Sequence, residues 1–257
     1  MELLNLHCGV ERDSRGVVRL TICNAGPLNI LGSKVIKAVR EGLERLAADR
    51  QIRALILAGE SPRAMIGGAD IKEMAGFDQK SAEEFISGFG DLCEAVRHFP
   101  APVIARMAGW CLGGGLEVAA ACDFRVAGYD AKFGMPEVLV GIPSVIHAAL
   151  LPRLIGSGRA RWLVMTAENI DAATALAWGL VDVVAAEGGL DAAVEKLAAT
   201  LLRCGPEALR AQKYLARQWE ELPLTESVNL SVGVFGRLFL TDEPKRLMQE
   251  FIDRKRG

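Results

Sequence analysis

A short segment in the middle of the chain is apolar on every side but one. Residues 115–122 read G-L-E-V-A-A-A-C, and Glu117 is the single polar side chain among them. A helix that is apolar all round is normally buried inside a protein. The segment therefore predicts a helix enclosed by a sizeable core, and it places a carboxyl group in that interior.

A second glutamate follows twenty residues later. Glu137 lies in the segment A-K-F-G-M-P-E-V. Burial of a carboxylate is unfavourable unless it is hydrogen-bonded or paired, and it raises the pKa. Two such groups near backbone donors are what acid–base catalysis at neutral pH requires. Taken singly, Glu117 fits a structural buried carboxylate equally well, and Glu137 fits a solvated turn residue better.

The composition favours a globular protein with one main core. The chain has 257 residues, of which 51% are hydrophobic and 24% charged. The formal net charge of −2 and the pI near 6.0 give no basic surplus for nucleic acid or for an anionic membrane. No apolar run approaches the roughly 20 residues of a membrane span. The amino terminus lacks the basic and apolar pattern of a signal peptide.

Cysteine and histidine usage points to a reduced protein without a metal. The six cysteines are scattered and form no C-x-x-C pair, and several lie in apolar runs. We expect them to be reduced core residues of a cytoplasmic protein. The three histidines lie far apart in the sequence, so no metal site is expected.

Strand and helix patterns alternate through most of the chain, which predicts an α/β fold. Residues 3–23 favour a hairpin, and residues 54–58, 103–107, 124–127 and 181–184 favour further strands. Ser33 is expected to cap a helix that runs to about Ala48. Beyond about residue 190 the pattern is helical. We therefore expect a core over residues 1–195 and a helical region over residues 196–257.

Two glycine-containing loops could bind a negatively charged oxygen. Gly67 and Gly68 lie in A-M-I-G-G-A-D-I-K-E-M, and G-G-G-L-E at residues 113–117 leads into the buried helix. Backbone N–H groups at a helix start are unsatisfied and can form an oxyanion hole. Taken alone, the first loop is better explained as a plain turn. A nucleotide-binding loop is disfavoured for the second, because G-x-G-x-x-G and a P-loop lysine are absent from it.

Taken together, these segments resemble the crotonase superfamily of enoyl-CoA hydratases and isomerases. The resemblance extends over nearly the whole chain. It rests on V-R-L-T-I-C-N, R-A-M-I-G-G-A-D-I-K-E-M, A-G-W-C-L-G-G-G-L-E-V-A-A-A-C-D, F-G-M-P-E-V, W-G-L-V-D-V-V and T-D-E-P-K-R-L-M-Q-E-F, in that order. It implies an α/β spiral of ββα units with a C-terminal helical oligomerisation region. It also implies homotrimers, often paired into hexamers, and an acyl-CoA thioester substrate, with no cofactor beyond the coenzyme A of that substrate.

The resemblance also implies roles for individual residues. The Ala69 and Gly114 amides match the oxyanion-hole donors. Glu117 matches the glutamate that activates water for attack at Cβ, and Glu137 matches the one that supplies a proton to Cα. The remaining positions expected to lie along the acyl-CoA are Ala64, Gly67, Asp70, Ile71 and Lys72. The basic end, Arg254-Lys255-Arg256, matches a position that could reach CoA phosphates, although a solvated terminus explains it more simply.

One segment departs from the family pattern. The family usually has P-G-A-G-G-T-Q-R-L after the second glutamate, whereas this chain has P-S-V-I-H-A-A-L-L-P-R-L from Pro143. Ser144, Ile146 and His147 replace glycines, so we expect residues 139–148 to reshape the acyl pocket. His147 would titrate near neutral pH if it faced that pocket, although its apolar neighbours favour a core position. Ser144 is expected to be a helix N-cap and not a nucleophile, since no G-x-S-x-G motif surrounds it.

The leading functional hypothesis is an enoyl-CoA hydratase that adds water to a 2-trans-enoyl-CoA. Both glutamates and both oxyanion positions are present, whereas a single carboxylate would suggest isomerisation. The altered segment keeps open another reaction on an acyl-CoA, namely isomerisation, decarboxylation or thioester hydrolysis. A non-catalytic acyl-CoA-binding protein is a further alternative.

Overall fold

The strands of the molecule lie mainly in its first two thirds. The structure is a computed structural model and describes residues 1–254. The strands are β1 (Glu2–Asn5), β2 (Cys8–Arg12), β3 (Val17–Ile22), β4 (Ala54–Gly59), β5 (Ala64–Ile66), β6 (Val103–Met107), β7 (Trp110–Leu112), β8 (Phe124–Ala127), β9 (Lys132–Gly134), β10 (Ile170–Asp171) and β11 (Val183–Val184).

These strands form two sheets. The larger sheet has the order β1-β2-β3-β4-β6-β8-β11, and the smaller has the order β10-β9-β7-β5. In the larger sheet β1, β2 and β3 are antiparallel, and every pairing from β3 to β11 is parallel. Strands β5, β7 and β9 of the smaller sheet are parallel as well. The α/β prediction and the predicted hairpin are therefore confirmed.

The helices connect the strands and then form the carboxyl-terminal part of the chain. They are α1 (Ser33–Ala47), α2 (Ile71–Met74), α3 (Gln79–Arg97), α4 (Gly114–Ala121), α5 (Leu151–Ile155), α6 (Ser157–Thr166), α7 (Ala172–Trp178), α8 (Leu190–Leu202), α9 (Pro206–Glu221), α10 (Leu224–Leu238) and α11 (Glu243–Arg254). Two short 3₁₀ turns, Glu137–Val140 and Ile146–Leu150, follow β9. Of the residues described, none belongs to a helix long and apolar enough to cross a membrane.

Helix α4 lies in the interior, as its sequence predicts. Residues 115–121 are all buried, and Glu117 is 4% exposed. The main hydrophobic core includes Leu116 and Val118 of this helix together with Phe89 of α3. Because the helix is enclosed on all sides, its carboxyl group is held in a low-dielectric environment.

Helix α8 covers the other face of the larger sheet. Val194, Ala198 and Leu201 pack with Ile56 and Ile104 in a second cluster. The predicted boundary between residues 195 and 196 lies within this helix. The division into two regions stays a prediction.

The start of helix α1 differs from the prediction. Gly32 occupies the N-cap and Ser33 is the first helical residue. The Glu73 carboxylate accepts hydrogen bonds from the Ser33 backbone N–H (2.9 Å) and from its hydroxyl. A carboxylate from α2 therefore satisfies the amino terminus of α1, and a pattern search for a local cap cannot find such a remote partner.

Buried charges join the carboxyl-terminal helices to the end of α4. Asp123 forms ion pairs with Lys213 (2.6 Å) and Arg217 (2.9 Å) of α9. Lys213 also donates to the Ala101 carbonyl (3.1 Å), and Arg217 donates to the Ala121 carbonyl (3.1 Å). Arg217 also pairs with Glu220 (3.1 Å). Because Lys213 is buried, removal of Asp123 would leave its charge in the interior without this carboxylate.

Candidate active site

One cavity brings together all four residues to which the sequence analysis assigns catalytic roles. It has a volume of about 260 Å³. Ala69 and Gly114 lie on its wall beside Glu117 and Glu137. These residues come from three separate stretches of the sequence, and the parallel arrangement of β5, β7 and β9 places the ends of those strands side by side.

The environment of Glu117 favours its protonated form. Burial is the largest influence and raises the pKa of this carboxyl from 4.5 to about 8. The negative charge of Glu137 acts in the same direction, so the two carboxyl groups are electrostatically coupled. The Ala148 backbone N–H donates to Glu117 Oε1 at 3.0 Å and partly offsets the shift. Burial therefore shifts Glu117 toward its protonated form at neutral pH.

Glu137 is held by a hydroxyl group. The Ser144 hydroxyl donates to Glu137 Oε2 at 2.8 Å. Glu137 is the first residue of a 3₁₀ turn and is only partly buried. The prediction of Ser144 as a helix N-cap is wrong, because Val145 precedes the next turn and no side chain caps it. The sequence gives no indication of this contact, since the six residues between Glu137 and Ser144 form no recognised motif.

Each predicted oxyanion donor follows a glycine with a positive φ. Gly68 has φ +120°, and Gly113 has φ +53°. Only glycine adopts such conformations readily, and here they turn the next peptide unit away from its strand. A Cβ on Gly113 would overlap Glu137 Oε1, so the same glycine also leaves room for the second carboxyl.

The two donor amides are free to bind a ligand. The backbone of Leu31 forms a parallel bridge with Ala69: its N–H donates to the Gly68 carbonyl, and its carbonyl accepts from the Asp70 N–H. In such a bridge the N–H of Ala69 itself points away from Leu31. Gly114 is the first residue of α4, where a backbone N–H has no partner within the helix. Within residues 1–254, neither amide donates a backbone hydrogen bond. Two free amides on one pocket wall can stabilise an oxygen that gains negative charge.

The rest of the cavity is almost entirely apolar. Phe77, Phe85 and Phe89 form an aromatic wall, with ring centroids 5.3 Å apart in the first pair and 6.2 Å apart in the second. The other apolar lining residues are Met74, Ala82, Ile86, Ile142, Pro143 and Val145. Glu83 lies at the exposed rim. The cavity therefore suits an apolar group attached to the atoms that the amides and carboxyls surround.

The segment that departs from the family pattern forms part of this wall. Ile142 to Val145 line the cavity directly. Ile146 has φ +37°, a left-handed conformation that a β-branched residue rarely adopts. Such strain persists only when the surrounding structure imposes it. Two residues later in the same turn, the Ala148 N–H donates to the buried Glu117 carboxyl. The strained Ile146 is therefore close in sequence to a direct contact of that carboxyl.

His147 does not line this cavity. Its Nε2 lies 2.6 Å from Glu94 Oε1 of α3, and the two residues line a neighbouring cavity with Arg97 and Arg153. Burial lowers the pKa of His147, and the Glu94 carboxylate opposes that shift. The apolar flanking sequence gave no indication of this partner, because Glu94 is 53 positions away.

The predicted CoA-binding residues lie beside the cavity and not in its wall. Ala64 is wholly buried in β5, and its carbonyl accepts from the Asn29 side chain at 2.8 Å. Asp70 caps α2 by accepting from the Lys72 and Glu73 amides. The other predicted residues of this stretch are the loop residue Gly67 and the exposed residues Ile71 and Lys72. Of the basic end, Lys255 and Arg256 lie outside the described residues.

Comparison with known proteins identifies the family of this chain. The family model described as enoyl-CoA hydratase/isomerase matches residues 12–257. The chain therefore belongs to the enoyl-CoA hydratase/isomerase family, and the resemblance stated from the sequence is confirmed.

Individual relatives support the same assignment. The chain is 32% identical to a crotonyl-CoA hydratase of Syntrophomonas wolfei over 90% of this chain and 89% of the relative. It is 34% identical to the human mitochondrial methylglutaconyl-CoA hydratase over 91% of this chain and 70% of that protein. The crystal structure of an enoyl-CoA hydratase from Mycobacterium smegmatis superposes with a TM-score of 0.93 at 27% identity, and 97% of each chain is covered. The crotonase-like fold is thus confirmed.

Proposed function

We propose that this protein is an enoyl-CoA hydratase that adds water across the double bond of a 2-trans-enoyl-CoA. The observation that carries the proposal is the presence of two carboxyl groups and two free backbone amides on the wall of one cavity. Two carboxyl groups can serve the two proton transfers of hydration, and the amides stabilise the charge that develops between those transfers. The family and the names of its relatives support this reaction class.

In the proposed mechanism the thioester carbonyl accepts hydrogen bonds from the Ala69 and Gly114 amides. These bonds withdraw electron density and make Cβ electrophilic. Glu117 takes a proton from water as its oxygen attacks Cβ, and the electron pair of the double bond moves to the thioester oxygen as an enolate. Glu137, which must enter this step protonated while Glu117 is ionised, then supplies its proton to Cα, and the carbonyl re-forms. The proton taken from water leaves Glu117 protonated and Glu137 ionised, so one proton must pass from Glu117 to Glu137, directly or through solvent, before the next turnover. The buried setting strengthens both amide contacts with the enolate.

Ser144 supports the proposed role of Glu137. Its hydroxyl occupies one carboxyl oxygen at 2.8 Å, which leaves the other oxygen to exchange a proton with the substrate. The coenzyme A portion is proposed to lie along the stretch from Gly67 to Lys72, where the exposed Ile71 side chain offers an apolar surface at the cavity entrance. Ala64 and Asp70 would hold that stretch through the contacts described above.

The test is the loss of the conjugated enoyl-thioester absorbance with crotonyl-CoA. We expect hydration by the parent protein and a loss of about 10²-fold or more in kcat for Glu117→Gln and Glu137→Gln, the size expected for removal of an acid–base group. Glu84→Gln is the matched control, because this exposed residue of α3 lies outside the cavity lining. Products other than the 3-hydroxyacyl-CoA would favour isomerisation, decarboxylation or thioester hydrolysis. Binding without turnover would favour a non-catalytic role.

The location and the assembly are also proposals. We infer a homotrimer or a dimer of trimers in the cytoplasm, without a nucleic-acid or membrane partner. The support is the family and the apolar surface of the carboxyl-terminal helices. The names of the relatives specify different acyl groups at similar identity, so sequence identity does not choose among them.

A further inference from the structure

The charged groups that line the cavity indicate which acyl groups it can bind, whereas its volume alone does not. Its charged or ionisable lining residues are Glu83, Glu117 and Glu137, and all three carry carboxyl groups. Within the described part of the chain, no lysine, arginine or histidine lines it. We infer that the protein accepts uncharged acyl chains and rejects acyl chains that end in a carboxylate. This inference rests on the proposed hydratase function and specifies its substrate class.

The position of the acyl end follows from the position of the reacting atoms. If the thioester oxygen lies between the Ala69 and Gly114 amides, the carbons beyond Cβ pass the two glutamates. They then meet the aromatic wall of α3 and the facing apolar residues Ile142 and Val145. Phe85 and Phe89 are buried, and Ile86 lies between them on the same helix. These side chains offer contact to methylene groups and no hydrogen-bond donor to a carboxylate.

A carboxylate at this place would lose its hydration without receiving a partner. Desolvation of an unpaired carboxylate is strongly unfavourable, whereas burial of a methyl group at the same place is favourable. The carboxyl groups of Glu117 and Glu137 lie nearby, so any negative charge that they carry adds repulsion. Arg97 and Arg153 line the neighbouring cavity together with His147 and do not line this one.

The experiment compares two thioesters that differ at one terminal group. In trans-2-pentenoyl-CoA the chain ends in a methyl group, and in glutaconyl-CoA the same five-carbon chain ends in a carboxylate. We expect kcat/KM to be at least about 100-fold lower for glutaconyl-CoA, since a buried polar group without a partner discriminates strongly. The methyl ester of glutaconyl-CoA serves as the size control, and we expect it to recover most of that loss because it has no charge.

A variant tests whether charge in the cavity decides the preference. Ile86→Lys places an ammonium group on the aromatic wall, and we expect it to raise the ratio of kcat/KM for glutaconyl-CoA over pentenoyl-CoA by about tenfold or more. Ser87→Lys adds the same charge at the next residue of α3, which is exposed and does not line this cavity. We expect that control to leave the ratio unchanged.

The outcomes separate this inference from the proposed function. Equal kcat/KM for pentenoyl-CoA and glutaconyl-CoA would overturn the inference while leaving the hydratase intact. A methyl ester as poor as the acid would also overturn it, because size and not charge would then decide. Failure to hydrate pentenoyl-CoA, crotonyl-CoA and the ester alike would instead overturn the proposed function. If Ile86→Lys does not fold, as judged by circular dichroism, the three substrates with the parent protein still decide the matter.

Discussion

At the scale of single residues, the interaction of the two glutamates predicts how kcat/KM for hydration depends on pH. In the proposed mechanism Glu117 must lose its proton before it can activate water. Because burial raises the pKa of this carboxyl to about 8, kcat/KM for hydration should increase as the pH rises toward 8. The pH dependence of kcat/KM reports ionisations of the free enzyme, so initial rates at low substrate concentration measure this directly. A kcat/KM that falls as the pH rises from about 6 to about 8 would contradict the assignment and give Glu117 the role of acid.

The raised pKa of Glu117 also predicts how the free energy of unfolding depends on pH. This measurement tests the ionisation of Glu117 without relying on catalytic activity. The folded pKa lies above the ordinary value of 4.5. Between these two values the folded state holds a proton on Glu117 that the unfolded state has released, so this group makes the free energy of unfolding decrease as the pH rises. Glu117→Gln keeps an acceptor for the Ala148 amide and cannot titrate. Urea unfolding of this variant should therefore show a smaller decrease across the same pH range.

Two features of the site could be predicted from residues and two could not. Glu117 stands out because an apolar helix surrounds it, and Gly113 and Gly114 stand out as a helix start. The contact of the Ser144 hydroxyl with Glu137 and the contact of His147 with Glu94 could not be predicted, because it is the fold that brings these residues together. Sequence patterns report local periodicity and capping, whereas these contacts follow from the path of the chain after Pro143.

At the scale of elements, the segment from Ser144 to Ala148 connects the cavity to helix α3. His147 pairs with Glu94 at 2.6 Å, and Glu94 also pairs with Arg97 (3.0 Å) and His98 (2.9 Å). Beyond these, Arg97 pairs with Glu220 and Glu221 at the end of α9. The segment whose Ala148 N–H contacts Glu117 is thus connected to α9 through a hydrogen bond and two ion pairs.

We expect Glu94→Gln to loosen this segment and to lower kcat for hydration by about tenfold, since small displacements of positioning groups have large effects on rate. The effect should appear mainly in kcat, because Glu94 does not line the substrate cavity. Steady-state kinetics with crotonyl-CoA would measure it. Glu84→Gln is the matched control, because Glu84 is exposed on the same helix and pairs with Lys80 at 3.8 Å, whereas Glu83 lines the cavity.

A double-mutant cycle gives the second half of this test. If His147 and Glu94 act as one unit, His147→Ala combined with Glu94→Gln should lower kcat no further than the stronger single variant does. Additive losses would contradict a shared positioning role. Parent-like kcat in both single variants would show that the strained Ile146 peptide holds the segment without the His147–Glu94 hydrogen bond.

The elements themselves follow from the sequence better than their junctions do. Strands β4, β6 and β8 coincide with short apolar runs because each lies within a sheet that is covered on both faces. The start of α1 was assigned to the wrong residue, since the carboxylate of Glu73 replaces a local cap. The helical region after α8 was expected, but the sequence alone does not show that Lys213 and Arg217 turn inward, because basic residues on a helix are usually solvated.

At the scale of the whole molecule, the carboxyl-terminal helices expose a broad apolar surface. Leu224 is 82% exposed, Val232 72% and Phe235 63%, and they lie along α10. Exposed patches of this kind usually mark an interface. We expect light scattering at micromolar concentration to give the mass of a trimer or a hexamer, because association removes this surface from water.

The variant Phe235→Glu should reduce the measured mass, since a carboxylate at the centre of the patch is unfavourable to bury. Leu3→Glu is the matched control, because Leu3 is also an exposed large apolar residue but lies on β1 at the edge of the larger sheet. We expect that control to keep the parent mass. A parent protein that behaves as a monomer would contradict this account of α10.

The ion pairs of Asp123 also bear on how a ribosome makes this protein. Helix α4 emerges early, but the two cations that neutralise the carboxylate just beyond its end lie on α9, almost a hundred residues later. During synthesis, helix α4 and the Asp123 carboxylate therefore exist for a time without Lys213 and Arg217. A message truncated before Lys213 would encode every residue of the cavity and still leave that carboxylate unpaired. Completion of the ionic contacts beside α4 thus requires a part of the chain that does not touch substrate in the proposed mechanism.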